Sequence, residues 1–378
     1  MADRLRVLQV LEPSGGGSGR HFVDLCQGLQ QAGHEVTAIY SPTRAESRFV
    51  EELAQARLSK VIALPMRRSV GPWDLSTWRQ LQAILRDVGR LDIIHGHSSK
   101  AGALTRLRRP GRHVPRIYTP HAFRTMDPTL SAKGRALYGG VEWLLGRYLS
   151  DRVICVSKDE LEHAIRLGLP RERLRLVING VTAPAPTNSH AIRRRFGISV
   201  DAVLFGFIGR LSPQKAPERL LNAFVRLATE IPQAHLLMIG SGELESDIRH
   251  RIDTAGLAGR VHLASDIPGS EAVGAFDVLV MPSRYEAMSY VMLEAAAAGK
   301  PMLLADVGGA STVLEHGVNG LLVPNSDDPT ELVSAMCTIA QPSVRQSLTE
   351  AAAARAGRYR AETMVVETLA VYREVASN

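Results

Sequence analysis

Short apolar runs alternate with amphipathic stretches along most of the chain. Seven runs of strand length lie in the first half, at Arg6–Leu11, Glu35–Tyr40, Val61–Leu64, Asp92–His95, Arg116–Thr119, Arg152–Val156 and Leu174–Ile178. Six more lie in the second half, at Val203–Ile208, His235–Ile239, Val261–Leu263, Asp277–Met281, Pro301–Leu304 and Gly320–Val323. The stretches between them have helical periodicity. This alternation predicts an α/β fold in which parallel sheets are covered by helices.

The two series of runs predict two doubly wound, Rossmann-like domains. Between them, Val181–Asn188 is rich in proline and threonine and lacks periodicity, as linkers do. The length of 378 residues also favours two domains, because one domain usually has roughly 100–200 residues. We expect one domain over residues 1–183 and a second over 184–358. In such a pair the ligand binds in a central cleft, where strand-end loops of both domains converge.

The composition is that of a well-packed soluble protein, with 45% hydrophobic and 22% charged residues. The three cysteines lie far apart and form no Cys-x-x-Cys pair, which favours buried, reduced thiols. No apolar run reaches the length of about 18 residues that a membrane span needs. We therefore expect the protein in the cytoplasm.

The formal charge of +7 is distributed unevenly along the chain. Residues 1–190 carry +11 and residues 191–378 carry −4. A basic half suits an anionic partner, such as a membrane face, a phosphorylated acceptor or a nucleic acid. Aromatic residues make up only 5% of the chain, which leaves few platforms for stacked bases and disfavours nucleic acid. A solvated basic surface without a partner is the alternative.

A glycine-rich turn, residues 15–19, follows the first predicted strand and opens a helix. Such a turn lets a phosphate approach the backbone at a helix N-terminus, although it can equally be a purely structural tight turn. The pattern Gly17-x-Gly19 continues with Phe22 where the dinucleotide fingerprint has its third glycine, and the second strand ends at Tyr40-Ser41 without a ribose-binding acid. An NAD-dependent oxidoreductase is therefore disfavoured. The absence of a following Gly-Lys-Ser/Thr excludes a P-loop.

Two predicted strand ends in the first half carry histidines. His95-Gly96-His97 is expected where the strand Asp92–His95 passes into its loop and contains a His-x-His pair, but we find no third metal ligand at suitable spacing. No metal site is therefore expected. His121 follows a proline in the turn after another strand, where it is placed to hydrogen-bond a ligand, or to serve only the structure.

Two cations, Arg210 and Lys215, share the turn after the strand Val203–Ile208. When a nucleotide diphosphate leaves a sugar, negative charge builds on the departing phosphate. Arginine can grip that phosphate with two hydrogen bonds and lysine can add a point charge. Two solvent-exposed cations are the alternative.

Two acids, Glu286 and Glu294, lie around a predicted helix start after the strand Asp277–Met281. The backbone amides of Ala287, Met288, Ser289 and Tyr290 point out of that helix N-terminus. A carboxylate on the turn can accept hydrogen bonds from sugar hydroxyls, the amides can bind hydroxyl or phosphate oxygens, and the second carboxylate can bridge a ribose diol. The alternative is that Glu294 only favours the helix dipole and Glu286 is solvated.

The order of these motifs resembles the retaining nucleotide-sugar glycosyltransferases of family 4, which have the GT-B fold of two facing Rossmann-like domains. The shared features are the glycine loop at 15–19, Thr-Pro-His at 119–121, Asn-Gly-Val at 179–181, Gly209-Arg210 with Lys215, Gly240-Ser241-Gly242 and Glu286-x7-Glu294. They cover nearly the whole chain in the same order.

In the donor-binding domain the resemblance implies a role for each matching residue. Arg210 and Lys215 would hold the diphosphate, and Glu294 would bind the ribose. Glu286 and the amides of residues 287–290 would hold the donor sugar. The chain departs from the family where Ala287-Met288-Ser289 replaces a glycine-bearing turn, and where Ala216 follows Lys215 in place of glycine.

In the first domain the resemblance implies that Gly16 and Gly17 lie close to the phosphates and that His121 touches the sugar near the reacting carbon. The catalytic set would be His121, Arg210, Lys215 and Glu286. The family needs no metal ion. Arg210 and Lys215 would stabilise the departing diphosphate, as a metal ion does in other enzymes. The family's last helix crosses back to the first domain, so we expect residues 359–378 to pack there.

The acceptor is expected against the basic half. Residues 131–149 combine cations with apolar side chains, and the arginines at 106, 108, 109 and 112 form another cluster of cations. Both suit the inner face of a bacterial membrane and a polyprenyl-diphosphate-linked saccharide. A core helix with an ordinary polar face is an equally good interpretation of residues 131–149. We expect hexosyl transfer in bacterial surface polysaccharide assembly. The sequence does not determine the nucleobase or the sugar; a UDP-sugar is the first choice of donor and GDP-mannose the second. The alternative is a non-catalytic nucleotide- or polyanion-binding protein.

Overall fold

The computed structural model describes residues 4–67, 69–107, 113–127, 130–182, 189–286 and 288–376. The chain forms two compact units: the first contains residues 1–180 and 361–378, and the second contains residues 181–360. Most of the expected linker and the site residue Ala287 lie outside the described residues.

The first unit contains a seven-stranded sheet in the order β3-β2-β1-β4-β5-β6-β7, in which all neighbours are parallel. Its strands are β1 Arg6–Leu11, β2 Glu35–Tyr40, β3 Lys60–Ala63, β4 Ile93–His97, β5 Arg116–Thr119, β6 Arg152–Cys155 and β7 Leu174–Leu176. Its helices are α1 Gly16–Gln31, α2 Ser47–Gln55, α3 Trp73–Val88, α4 Ser98–Arg106, α5 Ala132–Tyr148, α6 Lys158–Arg166 and α15 Ala361–Ala376.

The second unit contains a six-stranded parallel sheet in the order β10-β9-β8-β11-β12-β13. Its strands are β8 Val203–Ile208, β9 Ala234–Ile239, β10 Val261–Ala264, β11 Val278–Met281, β12 Met302–Ala305 and β13 Gly320–Val323. Its helices are α7 Ser189–Arg195, α8 Pro217–Glu230, α9 Glu245–Thr254, α10 Gly269–Ala272, α11 Tyr290–Ala297, α12 Ala310–Val313, α13 Thr330–Ala340 and α14 Pro342–Arg355.

Both sheets are doubly wound, because the strand order reverses beside the first strand of each. The reversal lies between β1 and β4 in the first sheet and between β8 and β11 in the second. Loops that leave the carboxyl ends of such a strand pair diverge and leave a crevice, which is where α/β sheets bind their ligands. The loops after these four strands carry most of the residues singled out from the sequence.

The last helix belongs to the first unit. Helix α15 packs on α1, and Met364, Leu369 and Tyr372 are buried in one core cluster with residues of β1 and α1. A Cβ atom on Gly28 of α1 would lie 2.4 Å from Val365 Cγ2, so the absence of a side chain there lets the two helices approach closely.

The predicted strand Asp92–His95 continues two residues further, so the expectation that Gly96 and His97 lie in the loop after it is wrong. His95, Gly96 and His97 all belong to β4, and both histidines are fully buried. Gly96 permits this arrangement because α4 packs directly on the strand there: an added Cβ would lie 2.1 Å from Thr105 Oγ1. The two rings point to the same side of the strand, since side chains alternate along it.

Candidate active site

The loop after β8 carries Arg210 and Lys215 and is supported by the glycine pair of the next strand-end loop. Leu211 N donates to Ser241 O at 3.0 Å, and Leu244 N donates to Leu211 O at 3.0 Å. A Cβ atom on Gly240, whose φ is +141°, would lie 2.1 Å from Gly209 O. Only glycine therefore allows the two loops to lie against each other, which gives the Gly240-Ser241-Gly242 motif a structural reason.

The loop after β8 is also joined to the loop after β11, its neighbour in the sheet. Arg284 N donates to Gln214 O at 2.8 Å, and Gln214 Nε2 donates to Tyr285 O at 3.1 Å. Arg284 Nη1 donates to Pro213 O at 2.7 Å. These bonds hold the segments 213–215 and 284–286 side by side.

Lys215 and Glu286, which were expected to contact the donor separately, form an ion pair with each other. Lys215 Nζ donates to Glu286 Oε1 at 2.6 Å, and the side chains are only 17% and 7% exposed. A short charge-assisted hydrogen bond in a largely desolvated place fixes both groups. The pair leaves Glu286 Oε2 as a second acceptor beside a cation, an arrangement that can bind both a sugar hydroxyl and a phosphate oxygen.

Arg210 differs from Lys215 in its surroundings. It is exposed at the carboxyl end of β8, on the same turn as the ion pair. An exposed guanidinium beside a fixed ammonium can swing onto a phosphate with two hydrogen bonds at little structural cost.

A second ionic network supports this turn and was missed from the sequence. Arg284 lies 2.7 Å from Glu218 and 2.8 Å from Asp327, and Asp327 also pairs with Arg219 at 2.7 Å. Asn325 Nδ2 donates to Arg284 O at 2.7 Å. The position of Arg284 two residues before Glu286 was the only available sequence signal, because its acidic partners are distant along the chain.

Helix α11 begins one residue after Ser289, which is its N-cap in extended conformation. Its first backbone amides point out of the N-terminus, beside the turn that carries Glu286. Met288 and Tyr290 are half-buried at this end, and Glu294 is half-buried one turn further along the helix. The backbone here offers donors to an anion or to sugar hydroxyls.

In the first unit, the glycine turn leads directly into α1. Helix α1 starts at Gly16, whose φ of +57° favours glycine, and Gly17 follows in the first turn. Gly16 N donates to Glu46 Oε1 at 3.1 Å, so a carboxylate of the chain itself lies at this helix N-terminus. A phosphate bound to the same amide would have to displace the exposed Glu46 side chain.

His121 lies on a strained turn that aims its ring at the end of β4. His121 and Ala122 both have left-handed backbone angles, with φ of +53° and +72°. The buried Glu160 carboxylate holds this turn by accepting from Ala122 N at 2.7 Å and from Val156 N at 2.6 Å. His121 Nε2 consequently lies 3.1 Å from His97 Nδ1.

A buried chain of hydrogen bonds runs from the last helix to His97. Gln9 Nε2 donates to Tyr372 Oη at 2.8 Å, and Tyr372 Oη lies 2.7 Å from His95 Nδ1. His97 Nε2 lies 2.7 Å from Gln9 Oε1, and His95 Nε2 lies 2.8 Å from Thr119 Oγ1. Because the Gln9 carbonyl can only accept, the proton of His97 is on Nε2 and its Nδ1 lone pair faces His121.

Burial keeps these histidines neutral. It lowers the pKa of His21 to about 4 and holds the pKa values of His95, His97 and His121 well below the ordinary value. His21, on the first turns of α1, packs edge-on against His121 with ring centroids 4.6 Å apart. The sequence reasoning missed His21, Gln9 and Tyr372; a polar residue inside the apolar strand β1 was the one signal that could have pointed to Gln9.

Helix α5 presents a large apolar surface to solvent. Leu137, Trp143, Leu144 and Tyr148 are between 40% and 66% exposed. The same helix carries the exposed cations Lys133, Arg135 and Arg147. None of the helices within the described residues is long and apolar enough to cross a membrane.

The expected arginine cluster before α5 is only partly described. Arg106 is fully buried, pairs with Glu142 at 2.9 Å and lies over the Tyr118 ring. The prediction that it belongs to a surface cluster is therefore wrong. The other three arginines, at 108, 109 and 112, lie outside the described residues.

The sequence matches known families over both units. Residues 15–183 match the family described as Glycosyltransferase Family 4, and residues 202–341 match Glycosyl transferases group 1. D-inositol 3-phosphate glycosyltransferase of Geodermatophilus obscurus is 31% identical over 309 residues, which cover 76% of this chain and 67% of that protein. The Escherichia coli UDP-Gal:alpha-D-GlcNAc-diphosphoundecaprenol alpha-1,3-galactosyltransferase is 28% identical over 250 residues, covering 63% of this chain and 64% of that protein.

The fold agrees with solved glycosyltransferases. Anabaena HepE, crystallised with UDP, is similar with a TM-score of 0.80 and 21% identity, over 98% of this chain and 100% of that chain. The protein has two Rossmann-like units. In the second unit, cations and a carboxylate lie after β8 and β11, where the strand order reverses. These features define a glycosyltransferase of the GT-B fold. The chain belongs to glycosyltransferase family 4.

Proposed function

We propose that this protein transfers a hexose from a UDP-sugar to a lipid-linked saccharide, with retention of the anomeric configuration and without a metal ion. The observation that carries the donor assignment is the Lys215–Glu286 ion pair beside the exposed Arg210. This turn joins two cations for a diphosphate to a carboxylate for a sugar.

The donor binds with its diphosphate on Arg210 and Lys215 and with its sugar on Glu286 and the first amides of α11. Glu294 receives the ribose and His121 the sugar near its reacting carbon, as the family resemblance implies. UDP is favoured over GDP because HepE is similar and was crystallised with UDP, and because the E. coli relative is named for UDP-Gal.

The reaction exchanges one bond on one face of the sugar. The bond between the anomeric carbon and the diphosphate oxygen breaks, and the acceptor oxygen bonds to that carbon from the same side. The acceptor proton passes to the departing phosphate oxygen. Arg210 and Lys215 stabilise the negative charge that develops on this phosphate, the role that a metal ion has in other glycosyltransferases.

The exposed face of α5 supports a lipid-linked acceptor at a membrane surface. Apolar side chains flanked by cations suit insertion among the headgroups of an anionic bilayer. The E. coli relative is named for an acceptor of this class. A soluble phosphorylated acceptor is the second candidate, because the Geodermatophilus relative is named for D-inositol 3-phosphate.

Transfer by the purified protein tests the proposal. UDP-, GDP- and ADP-sugars are each supplied with a diphosphate-lipid-linked saccharide or with inositol phosphate, and sugar transfer and donor hydrolysis are both measured. Arg210→Ala is expected to lower turnover by about 10²–10³, the effect of removing one electrostatic donor. The matched control is Arg226→Ala, an exposed arginine on α8 whose loss should leave turnover unchanged. Equal turnover in both variants would refute the assignment of Arg210.

A further inference from the structure

Three histidines from separate parts of the first unit meet at the carboxyl end of its sheet. His21 comes from α1, His97 ends β4 and His121 follows β5. One nitrogen of each ring lies within 4.8 Å of one nitrogen of the other two. His21 and His97 are buried and His121 is half-buried.

We propose that His21, His97 and His121 form a binding site for one divalent transition-metal ion of the Zn²⁺ type. Three neutral imidazoles are the ligands that Zn²⁺, Ni²⁺ and Cu²⁺ prefer, whereas Mg²⁺ and Ca²⁺ require oxygen ligands. Three protein ligands leave a fourth coordination position open to water or to a ligand.

The distances between the rings fit this chemistry. Nitrogens that bind one tetrahedral zinc at about 2.0–2.1 Å lie roughly 3.3 Å from each other. His97 Nδ1 and His121 Nε2 are 3.1 Å apart, and the His21 ring centroid lies 5.5 Å from that of His97 and 4.6 Å from that of His121. The third nitrogen lies within 4.8 Å of the other two and would have to move closer, by rotation about the side-chain bonds, to bind the same ion.

The surroundings of His97 fix the protonation that a ligand needs. Its Nε2 proton is held by Gln9 Oε1 at 2.7 Å, and Gln9 is in turn fixed by Tyr372. A metal-binding histidine typically donates its other N–H to a carbonyl or carboxylate in this way, which orients the ring and leaves the first nitrogen unprotonated.

His21 provides a second, independent observation. It is 2% exposed, and within the described residues neither of its ring nitrogens has a hydrogen-bond partner of proper geometry. Asn179 lies near enough to affect its pKa, but Asn179 Oδ1 is also buried without a partner. A buried polar group without a partner is destabilising, and metal coordination by one nitrogen would satisfy the ring.

The ion would be inhibitory to the transfer reaction, and this part rests on the proposed function. His121 is the residue expected to touch the donor sugar, and its Nε2 would be occupied by the metal. Transfer should therefore fall as the site fills and return when a chelator removes the ion.

Cobalt spectroscopy tests the site without relying on activity. Tag-free protein is stripped with a chelator and titrated with Co²⁺, whose visible absorption reports its coordination. We expect a band that saturates at one Co²⁺ per chain, disappears on addition of Zn²⁺ and is absent in His21→Ala. X-ray absorption of the wild-type zinc complex should show three imidazole nitrogens at about 2.0–2.1 Å, which tests the site even if the variant fails to fold.

A second histidine pair supplies the matched control. His235 and His262 are stacked in the second unit, with Nδ1 and Nε2 3.4 Å apart. The double variant His235→Ala/His262→Ala should keep the cobalt band. Loss of the band in this variant, retention in His21→Ala, or a wild-type zinc shell with fewer than three imidazoles would each overturn the proposal. A protein that binds cobalt but transfers no sugar even in its metal-free state would refute the proposed function and leave the metal site standing.

Discussion

Removing one partner of the Lys215–Glu286 ion pair should destabilise the second unit. In Lys215→Met the Glu286 carboxylate remains in a place where it is only 7% exposed, without its cation. Breaking a fully buried ion pair costs about 3–5 kcal/mol. Since Lys215 is 17% exposed and water can take its place in part, we expect a loss of about 2–3 kcal/mol.

The magnitude can be read from thermal unfolding. For a unit the size of residues 181–360, each kcal/mol corresponds to about 2–4 °C, so the transition of this unit should fall by roughly 5–10 °C. Scanning calorimetry measures the shift, and hydrogen exchange of peptides from residues 181–360 assigns it to the second unit. The double variant Lys215→Met/Glu286→Leu removes both charges and should recover most of the lost stability, yet it should remain inactive.

An exposed ion pair of the same unit serves as the control. Arg249 and Glu245 on α9 are 56% and 33% exposed, so Arg249→Met should change stability by less than about 0.5 kcal/mol. The reasoning is refuted if Lys215→Met melts with the wild-type protein, or if the double variant is no more stable than the single one. A stable, active double variant would also remove both residues from the donor site.

Three further predictions concern the first unit. Burial raises the pKa of Glu160 from 4.5 to about 7, against the lowering effect of the Val156 and Ala122 amides, so the folded state holds an extra proton between these pH values. Stability should therefore fall as pH rises through this window. The free energy of unfolding that Glu160 contributes should drop by about 2.5 kcal/mol between pH 5 and pH 8, and Glu160→Gln should remove this drop. Tyr372→Phe leaves buried hydrogen-bonding groups of Gln9 and His95 unsatisfied and should cost about 2 kcal/mol. Leu144→Glu should weaken co-sedimentation with anionic liposomes at low salt several-fold, since it places a negative charge on the exposed apolar face of α5.

Each of these variants has a measurement and a control in the same unit. All three tryptophans of the chain lie in the first unit, so their fluorescence follows its unfolding in denaturant. Glu162→Gln and Tyr148→Phe, both at exposed positions, should leave stability and its pH dependence unchanged. Val366→Glu, on an exposed site of α15, should leave liposome binding unchanged. If a variant shows the same stability, pH dependence or liposome binding as its control, the role given to the substituted side chain is refuted.

Much of the fold could be predicted from local pattern. All thirteen predicted apolar runs correspond to strands, and five of them, including Arg6–Leu11 and Val203–Ile208, have the same bounds in the structure. The stretch with helical periodicity between the runs Val203–Ile208 and His235–Ile239 contains helix α8, Pro217–Glu230. These elements follow from the alternation of buried strands and amphipathic helices, which neighbouring residues determine.

The main local error shows what that pattern omits. The predicted strand ended at His95 and left His97 in the loop after it, yet both histidines lie inside β4. Their ring nitrogens are satisfied by Tyr372, Thr119 and Gln9, residues from elsewhere in the chain. A polar residue can be buried in a strand only when such partners exist, and the sequence near the strand does not reveal them.

The sequence by itself determined the strands, the turns after them and the residue types that those turns carry, because local periodicity and turn chemistry specify these features. It also determined the family, through the order of motifs from the glycine loop to Glu294. Only the tertiary structure decided that Lys215 pairs with Glu286 and that His21 joins His97 and His121. The physical reason is that these contacts depend on which strands are neighbours in the sheet, and strand order arises from the packing of the whole unit.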